Sequence, residues 1–473
     1  MAGAGCKKGD GRMRTGCTLR LTEAQHGVLR RHLFSGDGCE SVALARCGRL
    51  MNGTQEILCI HEILLVPNEL CEIRTPDQVT WLPDVGRDLF QKAADKSMAV
   101  LKIHSHPQGY PDFSERDDLS DSRLFESIHG WCDDGRPHAS AVMLPNGKIF
   151  GRIIDSQGEF RRIGRIAVAG DDITFFDAES AADPDETQLR TMQAFGEGTT
   201  RLLKSISVAV VGCSGTGSWV IEQLARLGIG ELVLVDPDLM EAKNLNRIVG
   251  SRALDAHGKR PKVETLRENV CSMGTGVKVT VLGETTYSET VARRVAGCDL
   301  AFGCMDSVEG RDRLNRIATF YSIPYFDLGV RLDADGMGGI SNVCGNVNYL
   351  IPDGASLLSR GCYSAESLRN DVLRRTNPEH YQGLLAEGYI KGAKVESPAV
   401  VSINGFCATM AVNEMLARLH PFRDEPNQRF RRQQFDLVNS FWNQIEDSAA
   451  CPLLSKFAGR GDMIPFLNSV GDV

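Results

Sequence analysis

The stretch Val208-Ala-Val-Val-Gly-Cys-Ser-Gly-Thr-Gly-Ser218, continued by Trp219-Val-Ile-Glu-Gln-Leu-Ala-Arg-Leu-Gly228, decides the fold of the larger part of this chain. A β-branched run enters a Gly/Ser turn, and apolar residues then recur at Val220, Leu224 and Leu227, a helical spacing. Strand, turn and helix in that order make a phosphate-binding unit, because the free N–H groups at a helix start favour an anion. A second apolar run, Glu231-Leu-Val-Leu-Val235, ends at Asp236, where a ribose-binding carboxylate belongs. The pattern specifies a nucleotide-binding α/β domain with Gly212, Ser214, Gly215 and Gly217 in its turn.

At 473 residues the chain has room for two or three domains. Its 42% hydrophobic and 24% charged content is ordinary for a soluble globular protein. A net charge of -8 argues against general binding of nucleic acid or anionic membrane. No apolar run reaches membrane-spanning length, and Met1-Ala-Gly-Ala-Gly-Cys-Lys-Lys lacks the apolar core of a secretory signal. The 15 cysteines are odd in number and dispersed, some in apolar segments (Cys59, Cys407), which suits a reducing cytoplasm.

Residues 1–17 read as a flexible tail and 18–168 as a first, mixed α/β domain. Leu21 to Leu33 and Val85 to Lys96 have helical patterns, and Glu40–Ala45 and Glu56–Ile60 have strand patterns. The run Ala99-Val-Leu-Lys-Ile103 is a strand that delivers His104-Ser-His106-Pro107, and alternation puts both histidines on one face, able to grip one metal ion. A polar loop carries Ser114, and Asp117 opens an acidic helix. Two histidines and a carboxylate leave one position of a zinc ion open, the pattern of a catalytic site.

The complete His104-x-His106-Pro107-x6-Ser114-x2-Asp117 pattern resembles the signature of the JAB/JAMM (MPN, Mov34) metallo-isopeptidases. That resemblance implies zinc on His104, His106 and Asp117 and hydrolysis of amide or isopeptide bonds. It also implies a hydrogen bond from Ser114 to the tetrahedral intermediate and a general acid/base glutamate on an early strand. Glu40 matches the glutamate by position, with Glu56, Glu62 and Glu69 as alternatives. His61, His129 and His138 fall outside the motif.

An acidic, small-residue linker over 169–187 leads to a second domain over 188–450. After the phosphate turn come Asn244-Leu-Asn-Arg247, Pro261-Lys262 and a strand-like run ending at Asp306. These suit a triphosphate, with Asn244 and Arg247 on phosphate oxygens, Lys262 on the α-phosphate and Asp306 on Mg2+. The order resembles the ThiF/MoeB/HesA adenylyltransferases, the family that contains ubiquitin-activating enzymes, and so implies a Rossmann-like adenylation domain that uses ATP. Arg190, in Arg190-Thr-Met-Gln193, matches the arginine that this family donates to the neighbouring subunit's ATP, which implies a homodimer. Ser214 stands where the family usually has its second turn glycine, and the paired Cys-x-x-Cys motifs of many relatives are missing.

Glu396 to Leu419 reads as a buried helix starting near Pro398, with Cys407 in its core. Cys362 is the only cysteine between Ile351 and Pro398, a segment read as mobile, and is the candidate thioester nucleophile. Gly361 gives it backbone freedom, and Arg360 is expected to lower its pKa. Residues 451–473 read as a C-terminal tail. The two resemblances together imply a cytoplasmic enzyme like the fused proteins of bacterial ubiquitin-like operons, some tied to antiphage defence. Such an enzyme adenylates a ubiquitin-like (β-grasp) partner, has a possible E2-like acceptor, and cleaves after a similar C-terminus. Sulfur-carrier activation with tail trimming and a non-catalytic scaffold that binds ubiquitin-like proteins are the alternatives.

Overall fold

The computed structural model describes residues 16–52, 55–178, 183–390, 398–447 and 449–467. The chain divides into two compact units. One contains residues 16–178 with 319–322 and 456–467, and the other contains the described parts of 183–318 and 323–455. No described helix is long and apolar enough to cross a membrane. Residues 1–15 of the expected tail, 179–182 of the expected linker and 391–397 of the expected mobile segment lie outside the described residues.

In the first unit, β1 (Gly16–Thr22), α1 (Glu23–Leu33), β2 (Val42–Asn52) and β3 (Gln55–Leu65) are followed by the small hairpin β4 (Cys71–Thr75) and β5 (Gln78–Trp81). Then come α2 (Arg87–Asp95), β6 (Ala99–Ser105), α3 (Glu115–Cys132), β7 (His138–Met143), β8 (Ile149–Ile154), β9 (Phe160–Arg162), β10 (Arg165–Ala169) and β11 (Thr174–Asp177). Nine strands form one mixed sheet in the order β11-β10-β1-β3-β2-β6-β7-β8-β9. The sheet has an apolar core on each face, and strand alternation sorts residues between them. Ala43, Ala45, Leu101 and Ile103 join Leu29 and Leu33 of α1 in one core. Val42, Leu44 and Val100 join Phe90 of α2 and Phe125 and Ile128 of α3 in the other. By the same alternation, Lys102 and His104 of β6 point to the α3 face.

Two differences from the sequence reading have physical causes. Gly16 and Cys17, expected in the tail, belong to β1, which is held in parallel register by both β3 and β10. Residues 456–467 of the expected C-terminal tail belong to this first unit. Gly48 N donates to Gly459 O (3.1 Å), Asp462 N donates to Arg49 O (2.8 Å), and His61 Nδ1 lies 2.7 Å from Ala458 O.

In the second unit, α4 (Leu189–Ser205) precedes β12 (Ser207–Val211), α5 (Gly215–Leu227), β13 (Glu231–Val235), α6 (Ala253–His257), α7 (Lys262–Ser272), β14 (Lys278–Leu282), α8 (Glu289–Ala296), β15 (Leu300–Gly303) and α9 (Val308–Phe320). The long hairpin β16 (Tyr325–Ala334) and β17 (Ile340–Leu350) follows, then α10 (Ala365–Thr376), α11 (Pro378–Ala386), α12 (Val401–Leu419), β18 (Arg432–Asp436) and β19 (Phe441–Gln444). The sheet order is β14-β13-β12-β15-β16-β17-β18-β19. Neighbours from β14 to β16 pair parallel, and those from β16 to β19 pair antiparallel. Successive strands depart to opposite sides of β12, so the chain reverses beside it, the place where open α/β sheets bind ligands. This is the Rossmann-like α/β fold expected. The helix expected from Pro398 begins at Val401, with Val400 as its N-cap.

A Cβ built on Gly48 would stand 2.2 Å from Arg460 C, so the returning segment passes against bare backbone. Gly48→Val is therefore expected to displace residues 456–467 and destabilise the first unit by ~1–3 kcal/mol, the usual cost of overpacking. A thermal melt together with limited proteolysis of the returning segment checks this.

Candidate functional site

In the first unit, β6 ends with His104 and leads to His106, while α3 begins at a capping box. Ser114 is its N-cap, accepts from Asp117 N (3.2 Å), and gives its own backbone N–H (2.7 Å) and hydroxyl (2.7 Å) to Asp117 Oδ2. The cap thus aims a carboxylate at the strand end. Asp117 Oδ1 lies 2.9 Å from His104 Nε2, and Asp117 Oδ2 lies 3.4 Å from His106 Nε2. The two Nε2 atoms are 3.1 Å apart. Glu40, just ahead of β2, joins the cluster, since one ligand atom each from Glu40, His104 and His106 fall within 4.8 Å of one another. All four residues are buried.

His106 Nδ1 sits 2.9 Å from Tyr110 O, a pure acceptor, so Nδ1 carries a proton; in the neutral ring the Nε2 lone pair then faces the cluster, and in the protonated ring Nε2–H points at Asp117. Burial pushes the Glu40 carboxyl up to about 7, with His106 opposing and Asp117 adding. Burial also lowers the pKa of His104. For His106, burial acts in the same direction but is outweighed by the bonds to Asp117 and Tyr110 O, and its pKa is raised. Asp117 is held far below the ordinary carboxylate range, because the bonds from both histidines and Ser114 overcome its burial. Two imidazole nitrogens and a carboxylate aimed at one point form a donor set that fits a zinc ion.

In the second unit, Gly212 leaves β12 with φ +92°, and its absent side chain lets Cys304 approach, since a Cβ there would lie 2.8 Å from Cys304 C and O. That packing brings the loop carrying Asp306 beside the phosphate turn. Gly217 faces Gly212 O, which a Cβ would meet at 1.9 Å. Ser214 is the N-cap of α5, and the turn then opens directly into the helix. Buried Asp236 accepts from Cys213 N (2.7 Å) and Asp238 N (2.9 Å), and burial raises its pKa. Asp238 in turn accepts from Lys262 Nζ at 2.7 Å. Arg247 lies against the turn, its Cδ 3.3 Å from a Cβ built on Gly215, and its Nη1 donates to Lys243 O (2.6 Å). Asn244 is buried and its Oδ1 accepts from Glu241 N (2.9 Å).

The turn thus gathers Gly212, Ser214, Gly215, Gly217, Asp236, Arg247 and, through Asp238, Lys262, while Asp306 follows β15 as an exposed carboxylate. Asn404 of α12 was not anticipated. Its Oδ1 accepts from Thr216 Oγ1 at 3.3 Å, and its Nδ2 lies against Gly215. Arg190 is exposed on α4 and donates to Gln193 Oε1 (2.9 Å), on its own helix.

Cys362 corrects an expectation. It is half-buried and lines a cavity of ≈ 370 Å³ with Arg311, Arg360, Arg432, Asn346 and Asn348. Its pKa is raised, chiefly by burial and then by Asp327, with Arg311 and Arg360 only opposing. Arg360 cannot do more because it is committed to Asp447 (2.8 and 2.7 Å) and to Tyr349 O (2.8 Å). Arg311 is likewise paired with Asp327 (2.8 and 2.5 Å).

A Rossmann-like sheet with a glycine turn at its switch point, a buried carboxylate after the second strand and basic residues around the turn defines a nucleotide-binding domain. The ThiF family model matches residues 186–453, more than half of the chain, and the protein belongs to that family. It is 34% identical over 158 residues to the SAMP-activating enzyme E1 of Haloferax volcanii, covering 33% of this chain and 54% of that protein. Identity to ubiquitin-like modifier-activating enzyme 5 of Arabidopsis thaliana is 31% over 168 residues, 32% of this chain and 36% of that protein. Identity to molybdopterin-synthase adenylyltransferase of Salmonella typhimurium is 32% over 113 residues, 24% of this chain and 45% of that protein. The chain spans about half or less of the length of these relatives.

Gly217→Ala is expected to force the phosphate turn open at Gly212 O and to weaken ATP binding about 5- to 150-fold, the equivalent of ~1–3 kcal/mol of overpacking at the site. Calorimetric titration with ATP, beside an unchanged far-ultraviolet spectrum, checks this.

Proposed function

We propose that the protein is bifunctional. Its second unit adenylates the C-terminal carboxylate of a ubiquitin-like β-grasp protein, and its first unit is a zinc hydrolase of the JAB/JAMM type that cleaves peptide or isopeptide bonds after such a C-terminus. The observation that carries the hydrolytic half is the convergence of His104 Nε2, His106 Nε2 and the Asp117 carboxylate on one buried point, with Glu40 beside it. Membership of the ThiF family carries the other half.

In the first unit, zinc held by His104, His106 and Asp117 would supply the Lewis acid that activates water and polarises the scissile carbonyl. The remaining work falls to side chains of this chain. Glu40 accepts the proton of the attacking water and returns it to the leaving amine. Ser114 holds Asp117 through its backbone N–H and, by swinging its hydroxyl from Asp117 to the substrate, can donate to the developing oxyanion.

In the second unit, Asp236 receives the ribose of ATP, while the turn N–H groups, Asn244, Arg247 and Lys262 take the triphosphate. Mg2+ would be held by Asp306. A carboxylate oxygen of the partner attacks the α-phosphorus, the bond to the β-phosphate oxygen breaks, and pyrophosphate leaves. Arg190 is assigned to the second site of a homodimer. Cys362 is assigned the next step, in which its sulfur attacks the acyl carbon, loses its proton and expels AMP, leaving a thioester for an E2-like acceptor. Likeness to molybdopterin-synthase adenylyltransferase favours a second reading, in which a sulfide-level sulfur nucleophile attacks the acyl carbon of an adenylated sulfur carrier and AMP leaves, giving a thiocarboxylate. Mass spectrometry of the partner's C-terminus separates the two outcomes.

Asp117→Ala is expected to lose zinc, and Glu40→Ala to keep zinc but lose cleavage of a ubiquitin-like fusion. Zinc-free wild type together with normal cleavage by the Glu40 variant would refute the hydrolase. Lys262→Ala and Asp306→Ala are expected to abolish partner-dependent ATP–pyrophosphate exchange. Cys362→Ala should keep exchange and lose a thiol-sensitive adduct on a non-reducing gel, and an adduct that survives would move that role elsewhere.

A further inference from the structure

Behind the His104–Asp117 contact lies a second one with the same construction. Lys102 stands two residues before His104 on β6, and Asp121 stands four residues after Asp117 on α3. Lys102 Nζ donates to Asp121 Oδ1 at 2.8 Å, with the two side chains 3% and 0% exposed. Two residues along a strand advance about 6.6 Å, and four along a helix advance about 6 Å. The spacings agree closely enough for strand and helix to meet at two successive rungs, His104 to Asp117 (2.9 Å) and Lys102 to Asp121.

A third arm fixes this second rung to the rest of the sheet. Arg152 of β8 donates to Asp121 Oδ2 through Nε (3.1 Å) and Nη2 (2.8 Å) and also pairs with Asp118. Its guanidinium carbon lies 3.9 Å from the ring centres of both Phe113 and Phe160. Phe113 immediately precedes Ser114, so Arg152 holds the loop as well as the helix. Two cations meet two carboxylates, and the cluster needs no ion from solution.

We propose that the buried Lys102–Asp121 pair, braced by Arg152, is a positioning element that sets the register of α3 on β6 and thereby holds Asp117 at the two imidazoles. The proposal rests on the reading of that cluster as a zinc site. Stability alone is a poor reason to keep such a pair, because buried ion pairs can often be exchanged for apolar residues of similar volume without loss. Register is a better one. A metal ion selects among preformed geometries, and groups that orient its ligands commonly account for 10–100-fold in affinity. Neither Lys102 nor Asp121 touches substrate in this assignment, so both are positioning residues.

The test uses the full chain and zinc alone, with affinity read by competition against a chromophoric chelator and folding read by a melt of the metal-free protein. Lys102→Met/Asp121→Leu is expected to fold and to bind zinc about 10–100-fold more weakly. Lys102→Gln/Asp121→Asn, which keeps a neutral hydrogen bond across the same rung, is expected to stay close to wild type. Should the apolar pair not fold, Lys102→Met alone carries the same expectation, because Asp121 keeps both bonds from Arg152. Wild-type affinity in a folded apolar variant, or an equal loss in the neutral one, overturns the positioning role while leaving the zinc site intact. A folded wild type that binds no zinc overturns both.

Discussion

A carboxylate taken out of water must be met by donors, and that constraint organises both units of this protein. Asp117 is met by two imidazoles and by Ser114, Asp121 by Lys102 and Arg152, and Asp236 by two backbone N–H groups of the loops it anchors. Asp327 is met by Arg311, Asn348 and Tyr325. Asp117, Asp121 and Asp327 each tie a helix to strands that the backbone ladders leave separate from it. Some of these donors, His106, Ser114 and Cys213 N among them, belong to the segments that build the two candidate sites, so the geometry of each site and the satisfaction of its buried charge are one problem.

The meeting of His104, His106 and Asp117 was legible because its geometry is local. His104 and His106 share a face by strand alternation, and the spacing from Ser114 to Asp117 is the reach of a helix cap. The phosphate turn was legible for a similar reason, since a strand, a turn and a helix are contiguous. What escaped is what arrives from elsewhere in the chain. Asn404 meets the turn from a helix almost two hundred residues downstream, and nothing in its own neighbourhood marks it. Lys102, Asp121 and Arg152 were equally silent, because a lysine in an apolar strand and an aspartate in an acidic helix become a pair only once α3 lies on β6.

Cys362 shows the opposite failure, in which adjacency in sequence misleads. Arg360 stands two residues away and was expected to stabilise a thiolate. The fold instead gives Arg360 to Asp447 and leaves burial to dominate the thiol. A guanidinium stabilises whichever anion it faces with good geometry, and a neighbour in the chain has no priority over a carboxylate eighty-seven residues on. Two of the arginines that line the cavity, Arg311 and Arg360, are already matched by carboxylates and have correspondingly little to give the thiol.

The segment that returns to Gly48 has a consequence for how the protein is made. Residues 456–467 complete the first unit, yet they leave the ribosome roughly 400 residues after β2, on the order of 20–80 s later at ordinary elongation rates. Throughout that interval Gly48 N and Arg49 O lack the partners that Gly459 and Asp462 supply in the finished unit. The first unit thus reaches its finished form only after the second has been synthesised, which orders the completion of the two units within a single round of translation.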